Sequence, residues 1–347
     1  QSFAKQALQL AKKTGNLKEE IIAYQNLGAS EIILGNYDHA LRYFNLTEQK
    51  ITNADCRDIE MQEIQAKTFG SKGIIYSEQN NYSQALQNNF KALKIYEKHD
   101  RQIPLSKIYN NIGVIYRSID DQDKALVYFI KSYRLQKKVQ SSTLGISCSN
   151  IGLIYLKQNF PEKAKKFFDE GLKEFGKNPN DRGLGELYNS ISQYYILKNQ
   201  FQTAKENLHK AEQSFQKIGD QFGLSDTYLY LAEIYFNENN LDDSFKNVNK
   251  SLAISKKLDL PETYMKSEAL LSKIFDEKGD KENALIHLKN FNDGKDKLAK
   301  IENSKERIKI ELKFESEKQQ MEQKEKADTE RMKWLLGFSM LGFFLTG

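Results

Sequence analysis

The sequence predicts an all-α chain: a solenoid of stacked helix–turn–helix units, then a long charged helix, then the start of a transmembrane helix. Three observations predict it. Proline is scarce, four in 347 residues, which suits long helices. The stretch "NNIGVIYRSIDDQDKALVYF" at 110–129 is followed by a near copy, "SNIGLIYLKQNFPEKAKKFF" at 149–168. A small residue also recurs along most of the chain at nearly constant spacing, the mark of a repeat architecture.

Aligned on the small residue of each first helix, Gly28, Gly73, Gly113, Gly152, Ser192, Ala232 and Ser272 fall at steps of 45, 40, 39, 40, 40 and 40. Twelve residues after each stands another small residue: Ala40, Ala85, Ala125, Ala164, Ala204, Ser244 and Ala284. Three after the first small residue come Tyr76, Tyr116, Tyr155, Tyr195, Tyr235 and Phe275, with Glu31 as the exception. Four before it come Tyr24, Phe69, Tyr109, Cys148, Tyr188 and Tyr228, with Glu268 breaking the series. Offsets of three and four share one helix face. A small side chain there lets two helices approach, and a ring one turn away fills the space beside the contact. The rings are therefore expected in the core. One helix pair cannot bury its apolar face alone, so neighbours must stack. The prolines agree with this parsing: Pro104 and Pro261 precede first helices, Pro161 opens a second helix, and Pro179 lies in the loop "GKNPNDRG".

This small–aromatic–small spacing resembles the tetratricopeptide repeat family over residues 21–294. Seven repeats are assigned to 17–294, and residues 1–16 resemble the second helix of an earlier, truncated repeat. The family's usual period is about 34 residues. The longer step here resembles the repeats of kinesin light chains, with the extra residues in helices or in loops. The resemblance implies a right-handed solenoid whose first helices line a concave wall, with residues three before and one after the small residue facing inward. In the middle repeats these faces carry Lys107, Asn110, Val114 and Arg117, then Ser149 and Leu153, then Asn189, Gln193 and Ile196. Asn111 and Asn150 lie adjacent. "YNNIG" resembles the peptide-binding repeats of kinesin light chains and bacterial peptide-pheromone receptors, which implies a peptide or protein ligand in the groove. The candidate contacts are Lys107, Asn110, Asn111, Arg117, Asn150, Asn189 and Gln193. An asparagine amide both donates and accepts, matching a peptide backbone. In an asparagine-rich chain the same amides would equally serve to solvate an exposed face.

Nothing in the sequence carries catalysis. His39, His99, His209 and His287 lie on separate repeats, without the short spacings of a metal site. There is no phosphate loop, zinc-protease motif or nucleophile elbow. No enzyme and no cofactor are expected in this segment. The formal charge of +5 is spread along the chain, so no nucleic-acid-binding patch stands out. Cys56 and Cys148 form no CxxC pair and read as buried apolar side chains.

Residues 295–333 mix acids and bases closely, without proline or glycine, as a long charged helix does. Ile301 and Ile308 are seven apart, as are Phe314 and Met321, but the pairs do not share a register. A coiled-coil homodimer and a solvated single helix both fit. The run "WLLGFSMLGFFLTG" at 334–347 is apolar, and Arg331, Lys333 and Trp334 resemble an interfacial membrane anchor. Fourteen helical residues rise roughly 21 Å, short of the roughly 30 Å hydrocarbon layer, so the run reads as the first part of a span. The other reading is a helix packing on the repeats or on a partner. The chain begins at Gln1 in what looks like mid-helix, and a piece of a larger protein is expected.

This order of parts resembles bacterial membrane-bound sensor proteins, in which a repeat array, a charged helix and one span precede a histidine kinase. That resemblance implies an inner-membrane location with the array extracytoplasmic, and a two-component sensory and interaction region whose catalytic domain lies outside this chain. The alternatives are a membrane-anchored assembly scaffold and a cytoplasmic peptide-responsive regulator.

Overall fold

A left-handed residue recurs at close to every twentieth position: Gly15, Gly35, Asn80, Asp100, Asp120, Gln140, Asn159, Asn199, Gly219, Asn239, Asp259 and Gly279 all have positive φ. Glycine takes this conformation without a Cβ penalty, and asparagine and aspartate tolerate it. Each left-handed residue ends one helix, and in half of the turns the side chain of the next residue caps the following one. Asp120 (φ 59°), for example, is followed by Asp121, whose side chain accepts the Lys124 N–H at 3.2 Å. Asn81, Asn180, Asp220 and Asn240 cap in the same way.

The computed structural model describes the backbone of residues 2–53 and 58–344, and side chains up to residue 312. Among the described residues every regular element is an α-helix: α1 (Ser2–Thr14), α2 (Leu17–Ile33), α3 (Tyr37–Asn53), α4 (Ile59–Glu78), α5 (Tyr82–Lys98), α6 (Gln102–Ser118), α7 (Gln122–Lys138), α8 (Leu144–Lys157), α9 (Pro161–Lys177), α10 (Asp181–Leu197), α11 (Phe201–Ile218), α12 (Gln221–Asn237), α13 (Leu241–Lys257), α14 (Pro261–Glu277) and α15 (Lys281–Phe344). Most helices of the array have 17 residues. With three-residue turns this produces the 40-residue period, so the residues beyond the usual repeat lengthen the helices. The 39-residue step is absorbed at α8, which has only 14 residues because Ser141–Thr143 form a turn ahead of it. The 45-residue step falls in the 20-residue α4 and the connection before it. Pro161 and Pro261 occupy the first helical position, and Pro104 lies in the first turn of α6, where no backbone bond is lost.

The chain divides into two units, Gln1–Ile301 and Glu302–Gly347. In the first, even-numbered helices are the first of each pair and odd-numbered helices the second. Each second helix packs on the first helix of the next pair. Successive first helices also touch one another, α2 with α4, α4 with α6, α8 with α10, α10 with α12 and α12 with α14, whereas no two second helices make a comparable contact. The even helices therefore form the inner wall.

Within a pair the contact centres on the small residue. The Cβ that Gly28, Gly113 or Gly152 lacks would lie 2.6, 2.6 and 2.4 Å from the rings of Phe44, Phe129 and Phe168. All three phenylalanines are fully buried, sixteen residues downstream of their glycine. Where the small residue is Ser192 or Ala232, the same offset carries the smaller Leu208 or Val248, both also buried. The tyrosine series packs on this core as expected, mostly from its edge. Tyr116 is buried, whereas Tyr76, Tyr155, Tyr195, Tyr235 and Phe275 are half-buried at the rim of the contact, and none is exposed. Tyr116 stacks on Tyr128 at 5.5 Å between centroids and Tyr155 on Phe167 at 5.7 Å.

The other aromatic column carries a cation over each ring. Lys91 lies 5.2 Å from the Phe69 ring, Lys131 5.4 Å from Tyr109, Lys210 5.6 Å from Tyr188 and Lys250 4.6 Å from Tyr228. The two departures change both members together. Cys148 replaces a ring and Glu170 its lysine. Glu170 instead accepts from Tyr133 at 2.9 Å and pairs with Lys137 at 3.0 Å. Burial, then the nearby Glu170 and Glu174 charges, push the Cys148 thiol up to about 12, so it is an inert core side chain. Cys56 lies outside the described residues. In the seventh pair Glu268 replaces a ring and Asn290 its lysine. Glu268 is fully buried, and its Oε2 accepts from His287 Nδ1 at 2.5 Å and Asn290 Nδ2 at 3.2 Å. Lys256 Nζ stands 3.5 Å from Oε1, and the His287 ring stacks on Phe275 at 5.2 Å.

The expected start of a transmembrane helix is corrected. No helix among the described residues is long and apolar enough to cross a membrane. As far as Phe344, the run from Trp334 belongs to α15, a 64-residue helix, directly after a stretch dense in lysine, arginine and glutamate. The described residues of this helix offer no stretch that would cross the hydrocarbon layer. The inner-membrane, extracytoplasmic location expected from it falls with it. The side chains of Arg331, Lys333 and Trp334, and those of Phe314 and Met321, lie outside the described residues. α15 runs without a break through residue 295.

Two outcomes follow from this packing. Gly152→Ala should destabilise the array by about 2 kcal/mol through overpacking, and adding Phe168→Leu should recover much of that loss, as measured by urea unfolding. His287→Ala should cost roughly 2–3 kcal/mol by stripping a buried carboxylate of its main partner, with hydrogen exchange accelerating in α14 and the start of α15 and not in α6.

Candidate functional site

The inner wall is polar where its first helices meet, and its hydrogen bonds run from helix to helix. Asn150 Nδ2 on α8 donates to Asn110 Oδ1 on α6 at 3.1 Å. Arg117 Nη1 on α6 donates back to Asn150 Oδ1 at 2.7 Å. Further along, Thr227 Oγ1 on α12 donates to Asn189 Oδ1 on α10 at 3.0 Å, and Thr263 Oγ1 on α14 to Asp226 Oδ1 on α12 at 2.9 Å. The reason is the register. Side chains three and seven residues apart share a helix face, and 40-residue repetition puts the same face of each first helix beside the next.

The structure thus joins three of the seven candidate residues, Asn110, Asn150 and Arg117, in one chain of bonds. Asn150 and Asn189 are each only 8% exposed. They are tied into the wall more deeply than a freely solvated amide would be. Asn111 is half-buried, and Gln193 is half-buried with its Nε2 at 3.5 Å from the Asn189 carbonyl. Lys107 is exposed.

The wall is electrostatically uneven. The Arg117 guanidinium lies 5.9 Å from the Phe129 ring centroid, and burial pushes its pKa down against the opposing pull of Glu186. Glu186 is exposed by area, yet the protein around it lifts its carboxyl above the usual range, with Arg117 and Arg182 working against that rise. Burial likewise lifts Asp226, against its bond from Thr263, and Glu233, against Lys266 and Lys273. Tyr230, between these two acids on the α12 face, is pushed up by burial and then by their charges. Sequence reasoning picked Lys107 but missed Glu186 and Asp226, which hold the same repeat position 79 and 119 residues later. Extending that column would have found them.

A separate cavity of about 540 Å3 opens between α12, α14 and the start of α15, lined by Phe236, Ser272, Lys273, Asp276, Glu277, Lys281, Ala284, Leu285 and Leu288. It contains none of the candidate residues. No group of three or more metal-ligating side chains occurs among the described residues.

Comparison with known proteins places this architecture. The tetratricopeptide repeat family model matches residues 106–139, the pair α6 and α7 with its turn. An uncharacterized protein, ycf37, of Guillardia theta is 32% identical over 126 residues, covering 35% of this chain and 67% of that protein. Among solved structures, the apo form of the quorum sensor NprR from B. thuringiensis superposes with a TM-score of 0.64 at 16% identity, over 84% of this chain and 82% of that one. The Rap conjugation gene regulator of plasmid pLS20, in complex with the Phr* peptide, superposes with a TM-score of 0.61 at 19% identity, over 84% and 78% of the two chains. At these identities the two structures bear on the fold alone. The period, the paired helices and these matches agree: the chain is a tetratricopeptide-like helical solenoid, with a tetratricopeptide repeat recognised at residues 106–139.

Proposed function

We propose that the first unit captures a peptide or protein segment along the inner wall of its even-numbered helices. The observation that carries this reading is the helix-to-helix polar network of Asn110, Asn150 and Arg117. It fixes amide and guanidinium groups on a face that no other helix of the array covers. Fixed donors and acceptors suit an extended backbone, because little side-chain freedom remains to be lost on binding. The likeness to a regulator solved with a peptide supports the choice of ligand class. Asn189, bonded to Thr227, would extend the same surface two helices further.

A finer proposal makes this capture the input of a two-component sensor whose kinase lies outside the chain. Its support is the resemblance of the charged helix after residue 295 to the connecting helices of such sensors. The encoded sequence beyond residue 347 tests it. A histidine-bearing dimerisation helix and an ATP-binding domain would support it, and a stop codon would refute it.

Replacing Asn110, Asn150 and Asn189 together with alanine should cut retention of a random hexapeptide library on the immobilised protein by about tenfold or more, the order expected when several hydrogen bonds are lost. Helicity by circular dichroism should be unchanged. Equal retention by variant and wild type would count against the groove.

A further inference from the structure

Ion pairs are frequent on the array and many link successive repeats, such as Lys198 with Glu162 at 2.9 Å, Lys205 with Glu238 at 2.9 Å, and Lys278 with Asp242 at 2.8 Å. Charged residues of the inner face that make no ion pair among the described residues run in the order Lys67, Lys107 and Arg117, then Glu186, Asp226 and Glu233, and last Lys273, at the repeat position of Glu233. Their arrangement is ordered. Cations lie on α4 and α6, the anions on α10 and α12, and the single cation Lys273 beyond them on α14. Between α6 and α10, α8 offers apolar side chains: Ile146, at the repeat position that carries Lys107 on α6 and Glu186 on α10, and Leu153 seven residues on along the same face, both half-buried.

Unpaired charge on a partly desolvated wall is unfavourable in the free protein. The two signs do not relieve one another. Arg117 and Glu186 feel each other's field but stand too far apart to pair. Burial has also raised all three carboxyls, so their ionised forms are under-stabilised until a cation arrives.

We propose that the inner wall selects an extended segment by its charge order. An acidic residue sits against Lys107 and Arg117, an apolar side chain against Ile146 and Leu153, and a basic residue against Glu186, Asp226 and Glu233. This rests on the groove reading and adds the chemistry of the ligand. Neighbouring first helices stand about 10 Å apart, and an extended chain advances about 3.3 Å per residue. The acidic and basic residues are therefore separated by roughly six to nine positions. Both poles being electrostatic, capture weakens with added salt. It also weakens at the basic end on acidification, as the raised carboxyls take up protons.

The test uses two labelled peptides of about ten residues with one composition. In one, aspartates stand at one end, leucines in the middle and lysines at the other end. In the other, acids and bases alternate. Fluorescence anisotropy with the full chain should show the segregated peptide binding about tenfold tighter, the order of several charge pairs acting together. The exposed Lys107→Glu and Glu186→Lys should each weaken that peptide about fivefold and leave the alternating one unchanged. Equal binding of the two peptides overturns the charge-order proposal and leaves the groove reading standing. So does failure of both peptides when the random library is still retained. If the library is not retained either, the groove reading falls, and this proposal with it.

Discussion

Everything in the array depends on how closely the two helices of a repeat can approach. At Gly28, Gly113 and Gly152 the missing side chain is replaced by a phenylalanine ring from the partner helix, seated where a Cβ would be. That contact sets the interhelix distance, and the distance fixes which residues are buried between repeats and which remain on the inner face. Gly73 shows the same geometry with a polar occupant. Asn89 fills its space and bonds its own helix at the Ala85 carbonyl, 2.8 Å away. Size matching across the pair, rather than any one residue type, holds the period.

The columns of the repeat are coupled, and the exceptions make this visible. Where the aromatic residue of one column is lost, the cation that covered it is lost too. At Cys148 and Glu170 the replacement is a quiet core position beside a surface charge network. At Glu268 and Asn290 it is a buried carboxylate tied to His287 on α15. A carboxylate with no exposed area needs donors. Oε2 finds them in His287 and Asn290 while Oε1 has no hydrogen bond, so the last pair is joined by directional bonds at one oxygen where the others rely on rings.

Much of the fold was legible because it is periodic. The small residues, the apolar columns and the scarcity of proline together left few other structures, and even the 39-residue step marked a real irregularity at α8. The packing partner was harder to see. Phe44, Phe129 and Phe168 recur sixteen residues after their glycines, but in other repeats the position holds asparagine, leucine or valine, so no single residue type marks it. The rings were easier to recognise, and they pack on the core, mostly from its edge. The inner-wall asparagines were recognisable as a cluster, but their bonding to one another was not, because it joins residues 40 apart through a distance only the fold sets. The terminal apolar run misled because composition over fourteen residues says little about what the same helix carries just before it.

The turns add a consequence for how such a chain can change over time. Nearly every connection has three residues with one left-handed member, so each helix starts at a set rotation about its axis. One added residue inside a helix would swing everything beyond it by about 100°, moving the inner face outward. Length can then change cheaply only by copying or discarding whole repeats, or at irregular joints such as the unwound start of α8 and the Asn178–Asn180 link, where no left-handed residue occurs. A protein built to this metre diversifies its ligands by recolouring a fixed surface, one position per repeat, rather than by remodelling loops.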